Sequence, residues 1–82
     1  MLIYPNPVKN KLKIQLPAGI SGQTRIQVLN NLGQPVISTS KLAMGAIPAI
    51  ELDLPESIQP GCYIVRIQNA GKTMTQTILV AR

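Results

Sequence analysis

The clearest structural signal in the sequence is the stretch CYIVRIQNAGKTMTQTILV, residues 62–80. Two runs rich in Ile, Val and Thr, 62–68 and 73–80, flank the tetrapeptide NAGK at 69–72. Asn and Gly are the residues that most readily adopt the left-handed backbone conformation of a tight turn. The stretch therefore predicts an antiparallel hairpin with a four-residue connection at 69–72.

Similar short runs of Ile, Val, Leu and Thr fill the rest of the chain. Seven Pro and six Gly separate them, and several runs alternate polar and apolar residues, as strands with one buried face do. A loop is predicted for 41–48, and a turn for 55–60 that could hold one helical turn around 56–58. The predicted strands are 2–4, 11–16, 25–30, 35–40, 50–54, 62–68 and 73–80.

Each of these short strands has one apolar face. These faces can be buried together only if the strands form two sheets that stack. The sequence therefore predicts an all-β, immunoglobulin-like antiparallel sandwich of about seven strands, with a small barrel as the alternative. Eighty-two residues suffice for a single domain, 1–82. The predicted core consists of Leu2, Tyr4, Leu12, Ile14, Leu16, Ile26, Val28, Val36, Ile50, Leu52, Tyr63, Val65, Ile67, Ile78 and Val80, with Met74 at its rim.

The composition disfavours several classes of function. The chain has no His, Trp or Phe and only two Tyr, so most side chains used for catalysis, metal binding and base stacking are missing. The net charge of +5 is spread over scattered Lys and Arg. We expect neither an enzyme nor a nucleic-acid-binding protein, and no catalytic, cofactor-binding or metal-binding residue.

A few polar residues admit two interpretations. Glu51 and Asp53 share one strand face and could form a carboxylate pair or a Ca²⁺ site, but a solvated face paired with Lys or Arg is favoured. Cys62 is interpreted as a small apolar filler rather than a reactive thiol. A positive ridge that could meet phosphate or lipid headgroups is possible at Lys9, Lys11 and Lys13, although a solvated edge strand is favoured for these three lysines.

Two proline-containing segments constrain the backbone strongly. In Tyr4-Pro5-Asn6-Pro7 the first strand must stop or kink, which suits a chain crossing from one sheet to the other. Pro60-Gly61-Cys62-Tyr63 predicts a tight entry into a strand, with Tyr63 pointing into the sandwich and its hydroxyl group bonded to a loop backbone group.

Four stretches in order resemble one known family. They are IYPNPV at 3–8 with LKI at 12–14, IQVLNNLGQPV at 26–36, Leu54 with PGCYIVRI at 60–67, and GK at 71–72 with ILVAR at 78–82. Together they resemble the C-terminal sorting domain (type A) of the type IX secretion system of certain Gram-negative bacteria. The resemblance spans essentially the whole chain, although Cys62 stands where the family usually has an aliphatic residue, and Thr75-Gln76-Thr77 where a Lys is common.

The resemblance implies a targeting signal without chemistry of its own. By analogy, the domain is an excerpt of a longer secreted precursor, follows an N-terminal cargo domain, and is recognised in the periplasm by the outer-membrane translocon and its shuttle. A sortase then removes it, and the cargo reaches the cell surface or the medium. The alternative is an immunoglobulin-like accessory module that acts as a spacer or protein-binding domain of a surface enzyme or adhesin.

The terminal hairpin is the expected recognition element. Its last strand could accept a strand from a partner, or from a second copy in an edge-strand dimer, while basic residues supply charge complementarity. The candidate recognition residues are Pro60, Gly61, Tyr63, Arg66, Gly71, Lys72, Ile78, Val80 and Arg82. The candidate structural-motif residues are Tyr4, Pro5, Asn6, Pro7 and Gly33.

Overall fold

The computed structural model describes residues 1–45 and 48–82 of the chain. The predicted loop 41–48 therefore falls partly outside the described residues. The described residues form seven strands, which lie close to where the sequence predicts them. The strands are β1 (Leu2–Tyr4), β2 (Lys11–Gln15), β3 (Gly22–Leu29), β4 (Pro35–Ala43), β5 (Ala49–Asp53), β6 (Gly61–Asn69) and β7 (Lys72–Val80).

The strands form two antiparallel sheets. One sheet has three strands in the order β1-β2-β5, and the other has four in the order β4-β3-β6-β7. Side chains from both sheets belong to one buried apolar cluster, so the sheets pack face to face. The prediction of an all-β antiparallel sandwich is confirmed. Residues 1–45 and 48–82 contain no helix long and apolar enough to cross a membrane.

Alternation of polar and apolar residues places the centre of the core as predicted. Leu12 and Ile14 of β2 are fully buried, as are Ile26 and Val28 of β3. The segment 55–60 is a turn without a helix, closed by a hydrogen bond from the Ile58 N–H to the Pro55 carbonyl at 3.0 Å. In the described part of the chain, every buried side-chain nitrogen and oxygen has a hydrogen-bond partner.

The inward residue of β1 differs from the prediction. Ile3 is buried at 4% exposure, whereas Leu2 and Tyr4 are 55% and 39% exposed. Ile3 pairs with the buried Ile14, and residues in register share a face of the sheet. The sequence of a three-residue strand does not show which of its residues face the core. In β1 the pairing with β2 decides this phase, that is, which residue points inward.

The edge strand β4 also departs from the prediction. It continues to Ala43, so the loop predicted from residue 41 is wrong for 41–43. A register shift between Val28 and Leu29 offsets the start of β4, and as a result Val36 is 42% exposed while Ile37 packs against the core.

Loop residues contribute more to the core than strand alternation predicts. The buried loop residues lie in segments with no regular period, so no sequence pattern marks them: Val8, Ile20, Pro48, Leu54 and Ile58. Tyr63, predicted as core, is only half-buried, and Met74 packs at the rim as predicted. Within the strands, the described residues that are buried without having been predicted are Ile3, Thr24, Gln27, Leu29, Ala43 and Asn69.

The segment after β1 crosses between the sheets, as its prolines predict. Both peptide bonds that precede Pro5 and Pro7 are cis. Val8 then forms an isolated parallel bridge with Val80 of β7, in the other sheet. The Val8 N–H donates to the Leu79 carbonyl at 2.8 Å, and the Ala81 N–H donates to the Val8 carbonyl at 2.8 Å. Val8 thereby joins the connection between β1 and β2 to the edge of the four-stranded sheet through backbone hydrogen bonds.

The phase of β1 can be tested with two substitutions. Ile3→Ala should lower the free energy of unfolding by about 2–4 kcal/mol, because it leaves a cavity in the core. Leu2→Ala removes a mostly exposed side chain and should change it by less than about 0.5 kcal/mol. Urea denaturation of both variants measures the difference, and equal losses would contradict the observed phase.

Candidate functional site

The terminal hairpin is tighter than predicted. β6 and β7 pair without interruption from Gly61 opposite Val80 to Asn69 opposite Lys72, which leaves a loop of two residues. These residues, Ala70 and Gly71, have φ angles of 49° and 82°. Two positive φ angles match the type I′ turn that fits the twist of a hairpin. The four-residue connection is therefore corrected to a two-residue loop, and the left-handed residue beside Gly71 is Ala70 rather than Asn69.

Asn69 instead anchors the hairpin to the start of β3. Its buried Nδ2 donates to the Ser21 carbonyl at 2.9 Å, to the Gln23 carbonyl at 3.1 Å and to the Thr24 Oγ1 at 3.0 Å. The three acceptors lie 45 to 48 residues away in sequence, so no local pattern could reveal this contact. The side chain fixes the turn end of the hairpin against the adjacent strand.

Strand β7 is an edge of the four-stranded sheet. The Leu79 carbonyl and the Ala81 N–H bond to Val8, so they point away from β6. The direction of the backbone groups alternates along a strand. The N–H and C=O groups of Thr73, Thr75 and Thr77 therefore also point outward. Between the turn and Val8, the hairpin therefore presents the outward donors and acceptors of these three threonines along its edge.

The basic residues of the hairpin have different environments. Arg66 is half-buried and donates through Nε to the Gln27 Oε1 at 3.0 Å, and its Nη2 bonds to the same oxygen. Lys72 is exposed at the start of β7. Arg66 lies on the solvent face of the four-stranded sheet, and Lys72 lies next to the turn of the hairpin.

The last residue, Arg82, bonds to the backbone of two loops. Its Nε donates to the Lys9 carbonyl at 3.0 Å, and its Nη2 donates to the Leu54 carbonyl at 2.9 Å. Its Nη1 donates to the carbonyls of Pro55 and Ile58, both at 2.7 Å. Because the guanidinium group is engaged by four carbonyls, Arg82 holds the tail, the segment after Pro7 and the 55–60 turn together.

The entry to β6 matches its prediction, and side-chain hydrogen bonds from Asn30 hold the turn after β3. The Tyr63 hydroxyl group donates to the Gln59 carbonyl at 2.7 Å, and its ring packs against the core. In the turn, the Asn30 Oδ1 accepts hydrogen bonds from the N–H groups of Leu32 at 2.9 Å and Gln34 at 3.0 Å. Gly33 there has a φ of 79°, which favours glycine.

The polar face of the three-stranded sheet carries the acidic strand residues. Glu51 lies 3.6 Å from the Lys13 ammonium and 4.0 Å from that of Lys11, and Asp53 lies 3.6 Å from Lys11. The preferred interpretation, a solvated face with cross-strand pairs, is confirmed. These lysines do not mark an edge, however, because β2 is the central strand of its sheet. Among the described residues, no group of three or more His, Cys, Asp or Glu is placed to hold a metal ion.

Cys62 is exposed, which contradicts its interpretation as a small apolar filler. Successive residues of a strand face opposite sides, and Tyr63 packs against the core, so Cys62 must face solvent. It lies opposite Leu79, which is 46% exposed. The two side chains form part of the outer surface of the hairpin.

The terminal hairpin has outward backbone groups along the edge of β7. Another protein can recognise such an edge by pairing a strand with it. A comparison with family models identifies the class. Residues 2–81 match the model described as a secretion system C-terminal sorting domain. The chain therefore belongs to the family of type IX secretion C-terminal sorting domains. The comparison with curated proteins gave no match.

Family membership supports the general form of the expected function, partners and localisation. The family consists of sorting signals rather than catalysts, and it is associated with the type IX secretion system and an N-terminal cargo. It implies that the cargo passes the outer membrane and is secreted or displayed on the cell surface.

The contacts of Arg82 predict a measurable stabilisation. Arg82→Ala should lower the free energy of unfolding by about 1–3 kcal/mol, because four backbone carbonyls lose a charged donor. Arg82→Lys should restore only part of this loss, since an ammonium group cannot reproduce the guanidinium fork. Lys41→Ala, at an exposed basic residue, is the control in urea denaturation. If Arg82→Ala is as stable as this control, the loop contacts of Arg82 do not stabilise the domain.

The role of Asn69 predicts sensitivity to a nearly isosteric change. Asn69→Asp places a carboxylate oxygen against the Ser21 and Gln23 carbonyls and should cost at least about 2 kcal/mol of unfolding free energy at neutral pH. Asn31→Asp makes the same chemical change at an exposed turn residue and should be nearly neutral. Thermal or urea denaturation distinguishes the two, and equal stability of both variants would contradict the assigned contacts.

Proposed function

We propose that this domain is the targeting signal that directs a secreted cargo through the outer-membrane type IX translocon and is then cleaved off by a sortase. The observation that supports this function most strongly is the match of residues 2–81 to the sorting-domain family. In this proposal the domain has no catalytic activity and needs no cofactor.

The partners in this proposal are components of the secretion machinery and the cargo. The precursor crosses the periplasm, where the shuttle and translocon recognise the folded domain. The sortase cuts before the domain, and the cargo ends at the cell surface or in the medium. In this proposal the signal is recognised as a folded domain, and the single buried aliphatic core supports folding of the domain.

The proposed recognition element is the terminal hairpin with its supports. Ile78 and Val80 are buried at 2% and 1% exposure, so they hold β7 against the sandwich rather than contact a partner directly. Pro60, Gly61 and Tyr63 position the start of β6, and Gly71 forms the turn. Lys72 and the backbone of β7 remain as groups that a receptor can reach. Arg66 and Arg82 act mainly through contacts inside the domain in this proposal.

The test is localisation of an export-competent fluorescent passenger fused to residues 1–82, in a host with the type IX system and in a strain without the translocon. Surface or medium fluorescence is expected only in the host with the system. The variant Leu2→Ala, at an exposed residue outside the proposed element, should behave as the intact domain does.

A second fusion lacks residues 73–82 and should stay in the periplasm. Because this truncation removes the buried Ile78 and Val80, its retention reports on the whole fold as well as on β7. Periplasmic retention of the intact fusion, when it is folded, would overturn the sorting function. The accessory module, a spacer or protein-binding domain, would then be the better interpretation.

A further inference from the structure

The sheet edges of this domain differ in how well they are protected against pairing with an additional strand. β1 has only three residues and leads into Pro5 and Pro7. β5 carries Glu51 and Asp53, and residues Pro48 and Pro55 flank it. Short length, charge and proline are the features that natural proteins use to prevent edge-to-edge association. Both edges of the three-stranded sheet are therefore protected.

One edge of the four-stranded sheet is protected as well. β4 begins with Pro35, and its register with β3 shifts between Val28 and Leu29. Lys41 pairs with Thr24, whose side chain is buried, so Lys41 occupies a register position on the core side. An irregular register, a proline and an exposed lysine on an edge strand all discourage pairing with another strand. β4 therefore resembles the edges of the other sheet in this respect.

β7 has none of these protections along most of its length. It has nine residues without Pro or Gly, and its only charge is Lys72 at the start. Val8 occupies the far end of the edge through its bonds to Leu79 and Ala81. Between these limits, the outward N–H and C=O groups of Thr73, Thr75 and Thr77 form an open ladder. Threonine favours strand pairing through its branched side chain and cross-strand contacts.

Charge is distributed unevenly between the sheets. The four-stranded sheet carries Arg25, Lys41, Arg66 and Lys72 and no acidic residue. All three acidic residues lie on β5 or in the 55–60 turn. A strand that joins β7 would therefore extend a basic sheet, and Lys72 lies directly beside the open ladder. Complementary charge on the incoming strand would favour association and disfavour a second, equally basic copy.

We propose that the edge of β7 over Thr73–Thr77 is the docking site for an extended, acidic strand of the secretion machinery, which pairs with it as a fifth strand of the sheet. The proposal rests on the sorting function proposed above and specifies the recognition mechanism. Backbone pairing supplies affinity that depends little on the side chains of β7, and Lys72 selects for negative charge.

The central test removes one outward donor. Thr75→Pro deletes an N–H that points away from β6, so the pairing of β6 and β7 is retained while a ring obstructs the added strand. Secretion of the fused passenger should fall at least about tenfold. A loss of this size corresponds to roughly one backbone hydrogen bond between β7 and the added strand, together with the neighbouring pairing that the ring disturbs. Gln76→Pro deletes an N–H that points toward β6, and should instead destabilise the fold in urea denaturation.

A pair of charge reversals provides an independent measurement if Thr75→Pro does not fold. Lys72→Glu, beside the ladder, should reduce secretion several-fold. Lys41→Glu makes the same change on the opposite edge of the same sheet and should leave secretion as in the unmodified fusion. Equal secretion by these two variants would overturn the acidic partner, and a folded Thr75→Pro fusion that is secreted normally would overturn docking at β7.

The remaining outcomes separate this proposal from the sorting function. Retention of the unmodified, folded fusion refutes the sorting function and the docking site with it. Normal secretion by the unmodified fusion and by folded Thr75→Pro refutes only the docking site. Sedimentation of the same fusions tests a second copy as the occupant. A dimer that Thr75→Pro abolishes without affecting secretion would show that the edge serves self-association, and would overturn the proposed partner.

Discussion

The structure depends on the backbone bridge between Val8 and β7. Val8 is fully buried, and it bonds to Leu79 and Ala81 immediately after the chain leaves the three-stranded sheet. The connection between β1 and β2 is thus hydrogen-bonded to the four-stranded sheet, in addition to the core that the two sheets share. Arg82 extends this junction to the Lys9 carbonyl and the 55–60 turn. A domain of 82 residues with one Cys and two Tyr has neither an internal disulfide nor a large aromatic core, so this junction joins the first and last parts of the chain.

The same junction limits where another protein can pair with the domain. Val8 occupies one end of the β7 edge, and the two-residue loop at Ala70 and Gly71 defines the other. What remains open is a short ladder of threonines on a sheet that carries only basic charges. The same strand thus contributes to both stability and recognition in the proposed sorting signal. The inward side chains of β7 pack in the sandwich, and its outward backbone groups are available to a partner.

Sequence patterns predicted the strands well wherever the alternation ran for five residues or more, as in β2 and β5. They also predicted the crossing at Pro5 and Pro7, and the hydrogen bond of the Tyr63 hydroxyl group. Errors arose where a strand was too short or interrupted. The phase of β1 was wrong because three residues contain no usable period, and Val36 was misplaced by a register shift that only the pairing with β3 reveals.

The sequence by itself determined the fold class and the family, because alternation, proline and glycine act through local backbone physics and the family motifs are contiguous. Only the tertiary structure decided which basic residues remain accessible. Arg82 bonds to carbonyls up to 73 residues away, and Asn69 binds a strand 45 or more residues earlier. Which strand edge stays open was likewise decided by sheet order, since whether a strand's outward groups find a partner depends on its neighbours in space.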